Sequence, residues 1–472
     1  MVIDPPEEYR GTSVQVCGLW PWAAGSGTPM AGVPMGRHLM TGATVCCDPI
    51  SWFQRAGLIA NPSMFVLGKP GLGKSTVVRH MATGLAGYGV MPMVLGDLKP
   101  DYVDLIAALG GQVIPLGPGR GHLNILDPGE AMTASRRLVG KARDELVADA
   151  HARRLQATLA MLTIVLGVAP EARETLILNR ALRLLDERGP EVPVLGDLLQ
   201  VIQDAPAELR TVALDRGDEN RYRDVTERLV IGLSSLMGGG VLGDTFARPT
   251  SAPMAMDRPV VYDVSAIGED ARELQAAALL ATWSNGFSTV NVAGALADAG
   301  LEPQRHYFLV LDEIWRALGS GAGMVDRVNA LTRLNRNFGV GQAMATHTMS
   351  DLEALADPAD RAKARGFVER AGIVVCGGLP AAEMPLLNSA VRMSRAEQQM
   401  LISWQDPPAW DSRTGRQAEP PGRGKFLIKV GGRPGIPTQV VLTRTEVAMN
   451  VNDTDKKWHT RSRIGRRGQD AA

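Results

Sequence analysis

The chain has 472 residues, room for roughly two to four domains of ordinary size. Hydrophobic residues make up 45% and charged residues 21%, which excludes disorder over the whole length. Lys+Arg and Asp+Glu both number 50, so the net charge is zero and any nucleic-acid contact must come from a local patch.

The opening stretch MVIDPPEEYR carries acids and prolines and does not read as a signal peptide. Residues 1–55 are rich in Gly and Pro and read as a lead-in of loops with a small β element. Residues 56–130 change to a β-α-β pattern. MFVL from Met64 is a strand, GKPGLGKS a glycine-rich loop, and a helix runs from Lys74 to about Leu85. MPMVLGD (91–97) and GQVIPL (111–116) are two more strands around a helix at Tyr102–Leu109. Strands alternating with helices predict a parallel sheet.

Residues 131–235 read as a helical insertion. Leu178, Ala181, Leu182 and Leu185 mark one helix face, with a start at Pro170-Glu171 and a stop at Gly189-Pro190. The longest apolar run, Ala157–Ala169, is about 13 residues, too short to span a bilayer, and reads as a buried helix. MGGGVLG (237–243) reads as a hinge or loop.

The α/β pattern resumes over 236–450. RPVVYDVS (258–265), HYFLVLDE (306–313), VGQAMATH (340–347) and AGIVVCGG (371–378) are strands. Asp270–Trp283 and Val325–Arg336 are helices, and 405–424 is a loop. GKFLIKV (424–430) and TQVVLTR (438–444) are expected as an edge hairpin. Residues 451–472 form a basic tail with Lys456, Lys457, Arg461, Arg463, Arg466 and Arg467, expected to be disordered. The four cysteines show no metal-ligand spacing and read as reduced thiols.

Three stretches carry chemistry. Gly68-Lys69-Pro70-Gly71-Leu72-Gly73-Lys74-Ser75, followed by Thr76, fits GxxxxGK[ST] between a strand and a helix. Its glycines let backbone N–H groups face phosphate oxygens. Lys74 offers a cation to the β- and γ-phosphates, and the Ser75 hydroxyl is a Mg²⁺ ligand. In Phe308-Leu-Val-Leu-Asp312-Glu313 two acids follow a buried strand, at the end where ligands sit in open parallel sheets. Asp312 is expected at Mg²⁺ and Glu313 as the base that polarises water, which favours hydrolysis over small-molecule phosphorylation. Thr346-His347 ends the next strand and is placed to sense a γ-phosphate, although a helix cap explains it equally. Arg336, with Arg333 beside it, is a candidate finger toward a neighbouring subunit. Arg365 and Arg370 are weaker candidates, and a solvated helix face is the plainer reading of them all. Asp97 and Lys99 lie at the same edge of the sheet, placed to touch nucleotide, metal water or a neighbouring subunit, although a surface turn explains them as well.

The order of these motifs resembles the motor domain of the conjugation and type IV secretion ATPases, the VirB/TraC type within the HerA/FtsK superfamily of P-loop NTPases. The matching stretches are FVLGKPGLGKST, LGDLKPDY with NILDP (124–128), VLDEIWRAL (310–318), LTRLNRNFGVGQAMATH and IVVCGGLPAAEMPLL…GKFLIKVG, about residues 55–445. GVPMGRHLMTGATVCCDP is similar to the lead-in of actinobacterial members. The resemblance implies a RecA-like α/β fold, a mostly parallel sheet flanked by helices with an all-helical insertion. It implies ATP and Mg²⁺ as cofactors, Lys74 and Ser75 on phosphate and metal, Asp312 on metal and Glu313 as base. It further implies a cytoplasmic hexameric ring, peripheral at the inner face of the membrane and docked on the components of a membrane-embedded secretion channel. DNA is a further partner to test. Two departures stand out: His347 replaces the usual Gln, and the large N-terminal domain of many members is expected to be absent or reduced. Two other readings compete with a transfer motor: a DNA-translocating or coupling ATPase of the same superfamily, and a nucleotide-gated assembly scaffold.

Overall fold

The computed structural model describes residues 29–238, 242, 244–319, 324–332, 339–411 and 416–452. Arg333, Arg336 and the basic tail beyond 452 lie outside the described residues.

The strands are β1 (Pro34–His38), β2 (Thr44–Cys46), β3 (Ser63–Leu67), β4 (Met91–Asp97), β5 (Gln112–Pro115), β6 (Val260–Asp263), β7 (Tyr307–Leu311), β8 (Val340–Thr346), β9 (Ile373–Cys376), β10 (Trp410–Asp411), β11 (Arg416–Gln417), β12 (Lys425–Lys429) and β13 (Ile436–Val440). Eleven of them form one sheet in the order β2-β1-β13-β12-β9-β3-β8-β7-β4-β6-β5. From β9 to β5 neighbouring strands run parallel. From β9 to β2 they pair antiparallel.

The central strands are buried on both faces, as their unbroken apolar sequences require. Alternate side chains serve different layers. Phe65, Leu67, Leu309 and Leu311 join the core beneath the large helical layer. Met64, Val66, Phe308 and Val310 face the opposite layer, with Val77, Met81 and Leu85 of the helix Lys74–Gly87.

Between Glu130 and Ser235 the chain forms six helices. The helix Ala172–Arg188 opens on a Glu171/Glu174 capping box and stops at Gly189. Its Ile177, Leu178, Ala181, Leu182 and Leu185 belong to the same continuous core as one face of the sheet. Most of the apolar run 157–169 is the buried end of the helix Gly140–Leu166, while Gly167–Ala169 lie past its end and are exposed. Among the described residues no helix is long and apolar enough to cross a membrane.

Three expectations change. The stretch 405–424, expected as a loop, holds the short antiparallel pair of β10 and β11. The hairpin of β12 and β13 is not at the edge, because β1 pairs antiparallel with β13 and β2 follows it. The lead-in supplies those strands, and nothing in the hairpin's own residues announces them. The helix expected to stop at Trp283 runs from Arg272 to Asp298. Its second half holds Gly286, Thr289, Val290 and Val292, poor helix formers, all of them buried. Gly286 lets the helix lie against Leu95 of β4, since a Cβ there would come within 2.5 Å of both Leu95 methyl groups. Packing on nearly every side sustains the helix and erases the periodicity that would have announced it.

Candidate active site

Strand β8 lies between β3 and β7, parallel to both. In that register Leu67 stands beside Thr346, and Leu311 beside Met344. The residues that follow each strand therefore leave the sheet together: Gly68, His347, and the pair Asp312-Glu313. Strand β4 pairs with β7 on the far side and brings Asp97 to the same edge.

The glycine-rich loop is shaped by its neighbours. Gly68 N–H donates to the His347 carbonyl at 3.0 Å, and Lys69 N–H to the Gly378 carbonyl at 3.1 Å. These two amides are bonded to the flanking chain, so any donors that the loop offers to a ligand belong to its later part. Gly71 (φ 82°) and Gly73 (φ 100°) sit in the left-handed region that only glycine adopts without strain. Gly73 is the N-cap of the helix, and its first turn (Lys74, Ser75, Thr76) presents amides without intrahelical acceptors. Lys69 turns outward, its Nζ donating to Gln405 Oε1 at 2.9 Å. Leu72 is buried, and its carbonyl accepts from Gly424 N–H at 3.0 Å.

Lys74 is buried and its Nζ lies 3.1 Å from His347 Nδ1. His347 Nε2 lies 3.3 Å from Glu313 Oε1. An ammonium only donates, so Nδ1 accepts and the ring proton sits on Nε2, aimed at Glu313. Glu313 Oε1 also accepts from Lys99 Nζ at 3.2 Å, and Oε2 from Trp315 Nε1 at 2.6 Å. Burial works against its charge, but the His347 hydrogen bond and the Lys74 and Lys99 charges prevail. They hold the Glu313 carboxyl well below the usual range. Glu313 itself has φ 51°. A non-glycine residue held there is uncommon, and such strain gathers at functional sites.

Asp312 Oδ1 caps Glu313 N–H at 2.9 Å, and its Oδ2 accepts from Tyr102 OH at 3.4 Å. Asp97 accepts from the amides of Asp101 (2.9 Å) and Tyr102 (2.7 Å). Burial pushes the Asp97 carboxyl up to about 7, with Asp101 and Asp312 adding to the rise against those two amides. Asp101 accepts from the Ser75 hydroxyl, and burial raises its carboxyl too. Among the described residues no three metal-binding side chains form a ready-made ion site. The donor set still suits Mg²⁺, which binds through one or two hard oxygens and leaves its remaining positions to phosphate and water. Ser75 and Asp312, with Asp97 and Asp101, line one cleft and supply such oxygens.

That cleft holds about 590 Å³. Its remaining wall comes from the end of the described chain: Leu442, Glu446, Val447, Asn450 and Asn452, with Arg423. Two consecutive residues of the loop's own helix fasten it. Buried Arg79 donates to the carbonyls of Asp101 (2.7 Å), Val451 (3.2 Å) and Asn452 (3.4 Å). His80 Nδ1 reaches both Glu446 carboxylate oxygens at 2.9 Å, and Nε2 the Pro34 carbonyl at 2.9 Å. Sequence reading missed this wall. Its one signal was Thr443–Glu446, a capping box that announces a short helix, Arg444–Ala448. It also passed over Asp101, and it left Asp97 and Lys99 open between a ligand contact and a surface turn; the structure buries Asp97 and sets Lys99 on Glu313. Of the arginines, Arg365 pairs with Glu369 at 3.2 Å and Arg370 donates to Asn329 at 3.2 Å, and neither lines the cleft.

No family model and no curated protein matches the sequence. Among solved structures, the chain is similar to VirB4 of Thermoanaerobacter pseudethanolicus, with TM-score 0.63 and 17% identity over 90% of this chain and 100% of that one. A looser likeness is to the plasmid coupling protein TrwB in complex with ADP and Mg²⁺, with TM-score 0.49 and 14% identity over 89% of this chain and 97% of that one. At such identity the likeness to VirB4 is one of fold, and it is the RecA-like fold expected from the motifs.

Proposed function

We propose that this chain is a Mg²⁺-dependent ATPase motor of a conjugative DNA transfer or type IV secretion system. One observation carries the reading: Lys74 of the phosphate loop, His347 and Glu313 meet in a single hydrogen-bonded chain above Asp312 and Ser75. The motif resemblance to conjugation and secretion ATPases directs it toward that task, and the fold shared with VirB4 supports the choice by analogy.

In this reading the amides of Lys74, Ser75 and Thr76 receive the phosphates, and Lys74 Nζ meets the β- and γ-oxygens. Ser75 and Asp312 would hold Mg²⁺, with Asp97 and Asp101 as further hard oxygens in the same cleft, and the ion when bound would supply neutralisation of the charge on the transferred phosphoryl group. Glu313 orients the attacking water and takes its proton. A γ-phosphate competes with His347 for Lys74. The ring then loses the donor at Nδ1 while its Nε2 proton stays within reach of Glu313. His347 thus reports phosphate occupancy to the base, the part expected of the Gln it replaces. The chain works as a ring of subunits, hexameric by family resemblance, on the cytoplasmic side of a membrane-embedded channel, with a finger arginine from a neighbour.

The test is phosphate release from ATP and Mg²⁺ by purified protein. Lys74→Ala and Glu313→Gln each lower turnover by at least a hundredfold, while Glu313→Gln still binds ATP. Full activity in Glu313→Gln refutes the assigned base. Transfer assays in cells separate motor from scaffold, because a scaffold keeps its function in Glu313→Gln. Stimulation by DNA at low salt, lost as salt rises, marks the DNA-translocating alternative.

A further inference from the structure

The two oxygens of the Glu313 carboxylate are held differently. Oε1 accepts from Lys99 Nζ and lies 3.3 Å from His347 Nε2, and both of these residues line the cleft. Among the described residues Oε2 accepts only from Trp315 Nε1, at 2.6 Å, and Trp315 does not line the cleft. A ligand in the cleft can compete for the donors to Oε1. The donor to Oε2 is set by whatever holds the indole ring. An indole has one N–H and no acceptor, so the placing of that ring decides which way the carboxylate plane turns.

Trp315 is half-buried in the short helix Ile314–Leu318, directly after the left-handed turn at Glu313. Its ring face is covered by the next residue. The Arg316 guanidinium carbon lies 4.8 Å from the centre of the ring, within cation–π range. Neighbouring residues of a helix do not ordinarily face each other, so Arg316 has to fold back to reach that face. Gln275 holds it there. Arg316 Nη1 donates to Gln275 Oε1 at 2.6 Å. Gln275 is 2% exposed, and its Nε2 donates to the carbonyls of Ile267 (3.3 Å) and Gly268 (3.0 Å). With the amide nitrogen committed to two carbonyls, the amide oxygen must face Arg316. The placing is not free of cost, because Arg316 Nε is buried without a hydrogen-bond partner.

We propose that Arg316 is a positioning residue for the base. Anchored on Gln275, it clamps the Trp315 ring so that Nε1 points at Glu313 Oε2. That fixes the plane of the carboxylate that meets the attacking water. The Arg316 side chain does not line the cleft, and it acts through Trp315. This rests on Glu313 as the base, as proposed above, and adds what aims it.

The test is a double-mutant cycle in steady-state ATP hydrolysis with Mg²⁺. Arg316→Met removes the planar cation and the bond to Gln275. Trp315→Phe keeps a ring and removes the N–H. Each should lower kcat about three- to tenfold and change KM by less than about twofold. In the double variant kcat should stay within about twofold of Trp315→Phe, because the placing of the ring no longer matters once the N–H is gone. Arg316→Lys keeps a cation over the ring and a donor for Gln275, and should recover most of the loss. Unaltered kcat in Arg316→Met overturns the proposal. So do losses that multiply in the double variant, which would make Arg316 an independent support of the fold. Loss of ATP binding together with turnover, in Arg316→Met and Arg316→Lys alike, overturns it in the same way. If wild type does not hydrolyse ATP, or Glu313→Gln is fully active, the base reading falls and the positioning with it. If Glu313→Gln is inactive and Arg316→Met unchanged, the base stands and the positioning alone fails.

Discussion

Replacing Glu446 with Gln tests how the cleft's wall is held. The Glu446 carboxylate and the His80 ring are both almost fully buried, and the ring reaches both carboxylate oxygens at 2.9 Å. His80 donates from both nitrogens, to Glu446 and to the Pro34 carbonyl, which requires the imidazolium. Glu446→Gln keeps the shape and removes the counter-charge. Breaking a buried pair from one side costs ~3 to 5 kcal/mol, and the retained amide oxygen puts this case near ~3 kcal/mol. Felt as local opening of the segment Thr443–Asn452, that is a hundredfold loss of hydrogen-exchange protection, on the order of 10². Exchange read by mass spectrometry should show it in this segment and in the helix Lys74–Gly87 first. Protection changed by less than about threefold would refute the idea that this pair fastens the wall.

The pair also sets a pH window. Burial lowers the His80 pKa, but the Glu446 hydrogen bond and charge and the Pro34 carbonyl outweigh it, and the net shift is upward. Its contribution is full below the ordinary histidine value of 6.5 and is lost as pH rises through the raised one. Burial raises the Glu446 pKa, but His80 and Thr443 prevail, and the net shift is downward. Its contribution is full above the ordinary value of 4.5 and is lost as pH falls through the lowered one. Protection of the segment should peak between about pH 4.5 and 6.5 and decline on both sides. In Glu446→Gln the decline should flatten.

Further outcomes follow from the same geometry. His347→Gln should keep most activity, since an amide can accept from Lys74 and donate to Glu313, whereas His347→Phe should lower kcat at least tenfold with little change in KM. Gly73→Ala forces φ 100° on a residue with a Cβ, at ~1 to 3 kcal/mol, and should weaken ATP binding measured by calorimetry. Gly286→Ala drives a methyl into Leu95 and should cost ~1 to 3 kcal/mol by denaturant titration without altering KM. Trp315→Phe removes the 2.6 Å bond to Glu313 Oε2 and should lower kcat severalfold in steady-state assays while ATP affinity holds.

The chain's own residues decided a good deal. The runs MFVL and YFLVL are apolar throughout, so they read as strands buried on both faces, and the loop and acids that follow them were expected to emerge at one edge. Lys74, Asp312 and Glu313 were therefore legible as a group before any coordinates. His347 was legible as a neighbour of the phosphate-loop motif, because it ends a strand of the same kind. Other features depended on contacts between distant parts of the chain. The Lys74–His347–Glu313 hydrogen bonds join residues 273 and 34 positions apart, and no local pattern encodes which nitrogen faces which partner. The second half of the helix Arg272–Asp298 persists because it is buried on nearly every side, which local propensity opposes. The hairpin of β12 and β13 lies inside the sheet only because residues 34–46 return to pair with it. The wall of the cleft is the clearest case. Arg79 and His80 look like ordinary helix positions in sequence, and only their burial against a segment more than 360 residues away shows what they hold. Short-range chemistry set the candidate residues, and long-range packing arranged them around one cleft, because burial and charge pairing depend on which surfaces meet rather than on which residues are neighbours in the chain.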